Sequence, residues 1–132
     1  MKKNNYRIES DSLGKVKVPK DALYGAQTQR AIDNFKISGI SFDPAFIQSL
    51  ANLKNACAIA NLKCGVIPKN KASNISLITK DIAKNTLDYM GHFPVDIFQT
   101  GSGTSTNMNM NEVISNIAKR KYNKEIHPND DV

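Results

Sequence analysis

Between Asp43 and Gly65, apolar side chains return at a helical interval. Phe46, Leu50, Leu53, Cys57, Ala60 and Cys64 are separated by four, three, four, three and four residues. That spacing keeps them on one side of an α-helix, as a stripe about 32 Å long at about 1.5 Å per residue. Asp43 is a good N-cap, Pro44 suits the first helical position and Gly65 suits the position just past the end. The pattern therefore predicts a helix over 43–64 with this stripe facing the core. Pro68 breaks the chain; Ile75, Ile78, Ile82 and Tyr89 then mark a second helix, which Gly91 and Pro94 punctuate. A third helix is read from Met110, Val113, Ile114 and Ile117 and runs towards Arg120. The segment Val95-Asp96-Ile97-Phe98 is too short to assign.

The first twenty residues follow a different period. Tyr6-Arg7-Ile8-Glu9 and Lys15-Val16-Lys17-Val18 alternate apolar and polar around Asp11-Ser12-Leu13-Gly14. This is the signal of a short β-hairpin ending at Pro19. A polar stretch with Gly25 follows, then a short helical turn over Arg30-Ala31-Ile32-Asp33-Asn34-Phe35, ended by Gly39. Pro128 and Asn129-Asp130-Asp131 make the far end a loop. The fold class is mainly α, with antiparallel helices joined by short connections and a short N-terminal β-hairpin.

Composition narrows this picture. A length of 132 residues is that of one ordinary domain, and 40% hydrophobic with 23% charged residues excludes disorder. The longest apolar runs are a few residues, too short to span a bilayer. The start, Met1 to Arg7, is basic, but no apolar segment follows it, so no export signal and a cytoplasmic protein are expected. Eighteen Lys and Arg against twelve Asp and Glu give a net charge of +6, which favours anionic partners. The basic residues are scattered apart from Lys119-Arg120-Lys121 and nearby Lys124, with only Tyr122 between them. Nothing there resembles a stacking platform or a groove reader, so no nucleic-acid partner is expected. Cys57 and Cys64, seven apart in one helix, lie about 10.5 Å apart along it, beyond the roughly 7 Å limit for a disulfide. No histidine accompanies them as a metal ligand, so both are expected as reduced core residues.

The chemistry concentrates in Gln99-Thr100-Gly101-Ser102-Gly103-Thr104-Ser105-Thr106-Asn107. Two glycines let the backbone approach a ligand, and the hydroxyls supply hydrogen bonds. A helix begins just after, so its free N–H groups and positive dipole end point at this loop. That combination suits a carboxylate or phosphate. A glycine-rich cap with hydroxyls acting only as N-caps fits the same residues. The segment is neither a P-loop, lacking Gly-Lys-Ser/Thr, nor a nucleophile elbow around Ser102. Asn107 and Asn111 fall one turn apart on the following helix, where burial demands that both be fully hydrogen-bonded. His127-Pro128-Asn129-Asp130, beside Lys124, offers a second place for an anion, with Asp130 set to tune the histidine's charge. A solvated or structural histidine is the alternative there.

These residues resemble the N-terminal domain of the class II fumarase and aspartase family. The resemblance rests on Arg7-Ile8-Glu9-x-Asp11, Tyr24-Gly25-Ala26-Gln27-Thr28-Gln29-Arg30, Asn34-Phe35, Phe93-Pro94, Gln99-Thr100-Gly101-Ser102-Gly103-Thr104, Asn107-Met108-Asn109-x-Asn111-Glu112-Val113 and His127-Pro128-Asn129-Asp130. It covers nearly the whole chain. It implies the N-terminal helical domain of that fold, and reversible trans addition of water to fumarate to give (S)-malate. Serine at 102 points to fumarate hydratase, because aspartases usually carry alanine there. Ala31-Ile32-Asp33-Asn34-Phe35-x-Ile37-Ser38 leans instead towards aspartate ammonia-lyase. A non-catalytic interaction module is the third alternative. The resemblance assigns Ser102, Gly103 and Thr104 to binding a substrate carboxylate. It assigns His127, Pro128, Asn129 and Asp130, with Lys124, to a second anion site. Family members often have arginine where Lys124 stands; lysine keeps the charge and loses the bidentate fork. The resemblance further implies no metal, no organic cofactor, a dicarboxylate substrate and a homotetramer. It places the central helical bundle, the C-terminal domain and every catalytic group beyond Val132, so the 132 residues alone are expected to be inactive.

Overall fold

The computed structural model describes residues 5–132; residues 1–4, on which part of the leader reading falls, lie outside the described residues. Alternation at the start produces the expected hairpin. Strand β1 (Tyr6–Asp11) pairs antiparallel with β2 (Gly14–Pro19), Arg7 opposite Val18 and Glu9 opposite Val16. Gly14 takes φ +109°, a conformation that side chains resist, and Asp11 Oδ1 accepts the Leu13 amide at 2.9 Å. The helices follow: α1 (Ala26–Asn34), α2 (Pro44–Lys63), α3 (Lys69–Lys84), the short α4 (Thr86–Tyr89) with a 3₁₀ turn over Met90–His92, and α5 (Thr104–Tyr122). The mainly α class with an N-terminal hairpin is borne out.

Helix α1 is longer than the turn read at Arg30–Phe35, because its start is fixed from far away. The Glu112 carboxylate accepts the amides of Gly25, Gln27 and Thr28 at 2.8, 2.9 and 3.1 Å. Those are orphan donors of the helix N-terminus, and a carboxylate also suits the positive dipole end. A β-carbon on Gly25 would fall 2.9 Å from the Glu112 carboxyl group, so glycine is required by contact here. Arg7 sets the preceding loop, donating to the carbonyls of Pro19, Ala22 and Tyr24 at 2.7, 2.8 and 2.6 Å. Arg30 completes the tie between α1 and the hairpin with a two-pronged ion pair to Asp11 at 2.9 and 3.0 Å.

The second helix does not run on to Tyr89. It stops at Lys84, Asn85 leaves helical geometry, and Tyr89 is buried on α4 instead. Its phenol donates to Asp81 of α3 and accepts from Lys121 of α5, so three helices meet at one ring. The third helix keeps its predicted core: Met110, Val113, Ile114 and Ile117 are all buried.

On α2 the helix is present and the predicted face is wrong. Ile47, Ala51 and Ala58 are the buried residues, while Phe46, Leu53, Cys57, Ala60 and Cys64 face outward. Leu50 is half-buried against the core. The core face is the neighbouring stripe, one residue or about 100° further round. Small alanines there let α3 approach, and α3 presents Ile75, Ile78 and Ile82. Both cysteines are therefore exposed free thiols, not core residues. Apolar residues nearly encircle α2, so spacing alone did not single out one side. In the 132-residue chain Ile47→Ala should lower stability by about 2–5 kcal/mol, and Leu53→Ala by no more than about 0.5. Urea unfolding measures both, and equal losses would contradict this orientation.

Candidate functional site

The glycine- and hydroxyl-rich segment forms a loop that runs straight into α5. Thr100 and Gly103 close a turn, with the Gly103 amide donating to the Thr100 carbonyl at 3.0 Å. Gly103 adopts φ +72° and stands at the N-cap of α5 without a side-chain cap. Its left-handed geometry swings Thr104 into the first helical position, beside Ser102. The two hydroxyl oxygens lie 2.9 Å apart, and both residues are exposed. The Thr106 amide donates to Gln99 Oε1 at 2.9 Å and the Asn107 amide to the Gly103 carbonyl at 3.2 Å. Among the described residues, the amides of Thr104 and Ser105 meet no acceptor. Two hydroxyls and two amides thus gather at the positive end of a 19-residue helix. One flank is an apolar hollow of about 480 Å³, lined by Phe42, Phe46, Leu50 and Phe98.

The second predicted motif sits beside the middle of α5. Ser115 Oγ donates to the Ile126 carbonyl at 2.6 Å, and Asn111 Nδ2 to the Pro128 carbonyl at 2.8 Å. Asn111 and Ser115 lie about 10 and 16 Å along the helix axis from Thr104, so the two motifs are separate places on one rod. Lys124, His127 and Pro128 line one pocket of about 340 Å³ together with Lys71 and Lys119. His127, Pro128 and Asn129 line a neighbouring one of about 400 Å³. Asp130 lines neither, yet its carboxylate is 3.0 Å from His127 Nδ1. The amides of Asn129 and Asp130 also point at that nitrogen, at 3.3 and 3.2 Å. A neutral ring accepts them and keeps its proton on Nε2, whereas a charged ring pairs with Asp130. Asp131 holds the turn, accepting from the His127 amide at 2.7 Å and from Lys71 at 2.8 Å.

The asparagines divide differently from expectation. Asn107 is exposed; Asn109 and Asn111 are buried. Asn109 donates to the His92 carbonyl at 2.8 Å. Asn111 is only half satisfied, because its Oδ1 meets no donor. Among the described residues, no cluster of three His, Cys, Asp or Glu is placed to hold a metal ion.

Comparison with known proteins gives these motifs a context. A family model described as lyase matches residues 14–132. The chain belongs to this lyase family. It is 53% identical over 129 residues to the class II fumarate hydratase of Xylella fastidiosa (strain Temecula1), covering 98% of this chain and 27% of that protein. It is 51% identical over 132 residues to the class II fumarate hydratase of Corynebacterium efficiens, again 27% of that protein. The crystal structure of class II fumarase from Schistosoma mansoni superposes with TM-score 0.86 at 35% identity, over 96% of this chain and 28% of that one. The family resemblance read from the motifs is thereby borne out. The chain spans about a quarter of the length of the curated relatives it matches.

Three contacts that fix α5 and the segments around its head escaped the sequence reading. Gln99 reaches across the loop to Thr106, and Glu112 reaches α1; neither leaves a local signal, since both partners are chosen by the fold. Asp96 did leave one, because an aspartate followed two residues later by an available amide forms an Asx turn. Its buried carboxylate accepts the Phe98 amide at 2.9 Å, the Ser38 and Gly39 amides at 2.7 and 2.8 Å, and the Ser38 hydroxyl. These donors, Phe98 foremost and then Ser38 and Gly39, outweigh burial and hold its pKa at about 2. The folded value lies below the ordinary 3.8, so the stabilisation is complete above about pH 3.8 and is lost as pH falls towards 2. Asp96→Asn should accordingly be less stable than wild type at pH 7, with the gap closing at about pH 2. Urea midpoints at the two pH values test this; a gap that persists in acid would refute it.

Proposed function

We propose that the chain is the N-terminal, substrate-loop domain of a class II fumarate hydratase acting in the cytoplasm on a fumarate and malate pair. The observation that carries this reading is the convergence of the Ser102 and Thr104 hydroxyls with two unengaged amides at the start of α5. Reversible hydration of fumarate requires a proton to leave the carbon next to a carboxylate. The electron pair then spreads onto that carboxylate, which carries a second negative charge. Donors fixed in advance around those oxygens stabilise the charge where it develops. Hydroxyls and amides do this at the tip of a helix, where the dipole adds to the effect. Neither a metal ion nor an organic cofactor is needed for this role. The group that removes the proton belongs to segments other than these 132 residues.

Lys124, His127, Pro128, Asn129 and Asp130 are assigned to the second anion site, with Lys119 adding positive charge to its pocket while Lys71 there is paired with Asp131. The outward apolar side of α2 supports assembly with further helices, as in a homotetramer, because Phe46, Leu53 and Ile59 are large apolar side chains left uncovered. In the complete lyase carrying this sequence, Thr104→Ala should cut turnover by about ten- to a thousand-fold. His127→Ala should leave turnover nearly intact. Fumarate formation from malate, compared with that from aspartate, measures both effects and separates hydratase from ammonia-lyase. Unchanged turnover in Thr104→Ala would reduce that residue to a helix cap.

A further inference from the structure

Six residues, 100–105, carry every donor of the proposed carboxylate site, yet one backbone hydrogen bond closes their own turn. Something else must fix their shape. The side chain of Gln99 spans the neck of the loop. Its Oε1 accepts the Thr106 amide at 2.9 Å, and its Nε2 donates to the Thr106 hydroxyl. Both residues are buried, and the Gln99 amide is itself held by the Asp96 carbonyl at 3.1 Å. One carboxamide therefore joins the incoming and outgoing stems of the loop through two bonds of fixed relative direction.

The same contact decides which amides face outward. At the start of α5 several N–H groups lack a partner inside the helix. Gln99 takes that of Thr106, and the Gly103 carbonyl takes that of Asn107, which leaves Thr104 and Ser105 to the exterior. Without Gln99 the Thr106 amide and hydroxyl compete for a ligand from a buried, poorly aligned position, and the stems are free to spread. Donors that must be aligned with a developing charge lose most of their value when the frame around them relaxes.

We propose that Gln99 is a positioning residue that bolts the loop at Thr106, so that Ser102, Thr104 and two amides are matched to the doubly charged carboxylate and not merely to the substrate. This rests on the fumarate hydratase reading. Interactions strengthened only in the transition state appear in turnover and in the binding of charge mimics, and hardly in ground-state affinity.

The test uses the complete lyase carrying this sequence, with the variants Gln99→Met, Thr106→Val and Thr106→Ser. Methionine keeps the bulk of Gln99 and removes both bonds. In Gln99→Met, kcat should fall by about 10- to 100-fold while KM for malate moves less than about threefold. Affinity for a dicarboxylate analogue bearing a nitronate, which mimics the extra charge, should fall in parallel. Affinity for succinate should stay within about threefold of wild type. Thr106→Ser retains both bonds and should behave as wild type. Thr106→Val loses only the hydroxyl contact and should weaken nitronate binding by about three- to tenfold. It carries the test should Gln99→Met fail to fold. Equal weakening of nitronate and succinate would overturn the proposal, as would an unaffected Gln99→Met or a Thr106→Ser as damaged as Thr106→Val. An active wild type with indifferent variants refutes the bolt alone. A wild type without hydratase activity refutes the functional reading and this role together.

Discussion

A carboxylate taken out of water must be met by donors or it destabilises the fold by several kcal/mol. Glu112 is buried in the middle of α5, and three amides at the start of α1 meet it. The rest of the structure is arranged around that requirement. Gly25 has no side chain because the carboxyl group occupies the space, and α1 begins where the anion caps it. Arg7 and Arg120 hold the carbonyls of the loop that delivers Gly25. Helix α5 is a polar rod inside a core, and each of its inward polar side chains fixes another segment. Asn109 takes His92, Asn116 takes Leu23, Asn111 takes Pro128 and Ser115 takes Ile126. The helix that starts at Thr104 is thereby tied to its neighbours along most of its length.

Local order was legible where one period dominates. The hairpin alternates cleanly, and the buried face of α5 is a stripe of Met110, Val113, Ile114 and Ile117 with polar neighbours. Helix α2 was legible as a helix and not as a face, since Phe46, Leu50 and Leu53 compete with Ile47 and Ala51 for the inside. Packing against α3 favours the stripe with small alanines, a choice made by the partner helix. The start of α1 was missed because its cap lies more than eighty residues away. In the site, Ser102, Gly103 and Thr104 were legible by composition. The grip of Gln99 on Thr106 was not, since it is tertiary, and Asp96 showed only its local turn to Phe98 and not its hold on Ser38 and Gly39.

The net charge of +6 acquires a location. Lys71, Lys119 and Lys124 line the pocket beside His127 with Glu125 and Asp131, a small positive excess, whereas the loop at Ser102 and Thr104 contains no cation at all. The two proposed anion sites therefore attract their ligands differently. The first relies on directed donors and a helix terminus, which discriminate geometry and respond to charge that builds on particular oxygens. The second relies on lysine charge, with Lys119 and Lys124 beside a Lys71 already paired to Asp131, and such charge is screened by salt. That division fits a loop for chemistry and a basic patch for capture.

The proposed role of the loop at the head of α5 is to receive a substrate carboxylate on its donors. The most direct measurement is a crystal structure of the complete lyase carrying this sequence, with fumarate or malate bound. Carboxylate oxygens are expected at about 2.7–3.1 Å from Thr104 Oγ1 and from the amides of Thr104 or Ser105, with the loop otherwise unmoved. A substrate held elsewhere, with Ser102 and Thr104 facing bulk water, would contradict it.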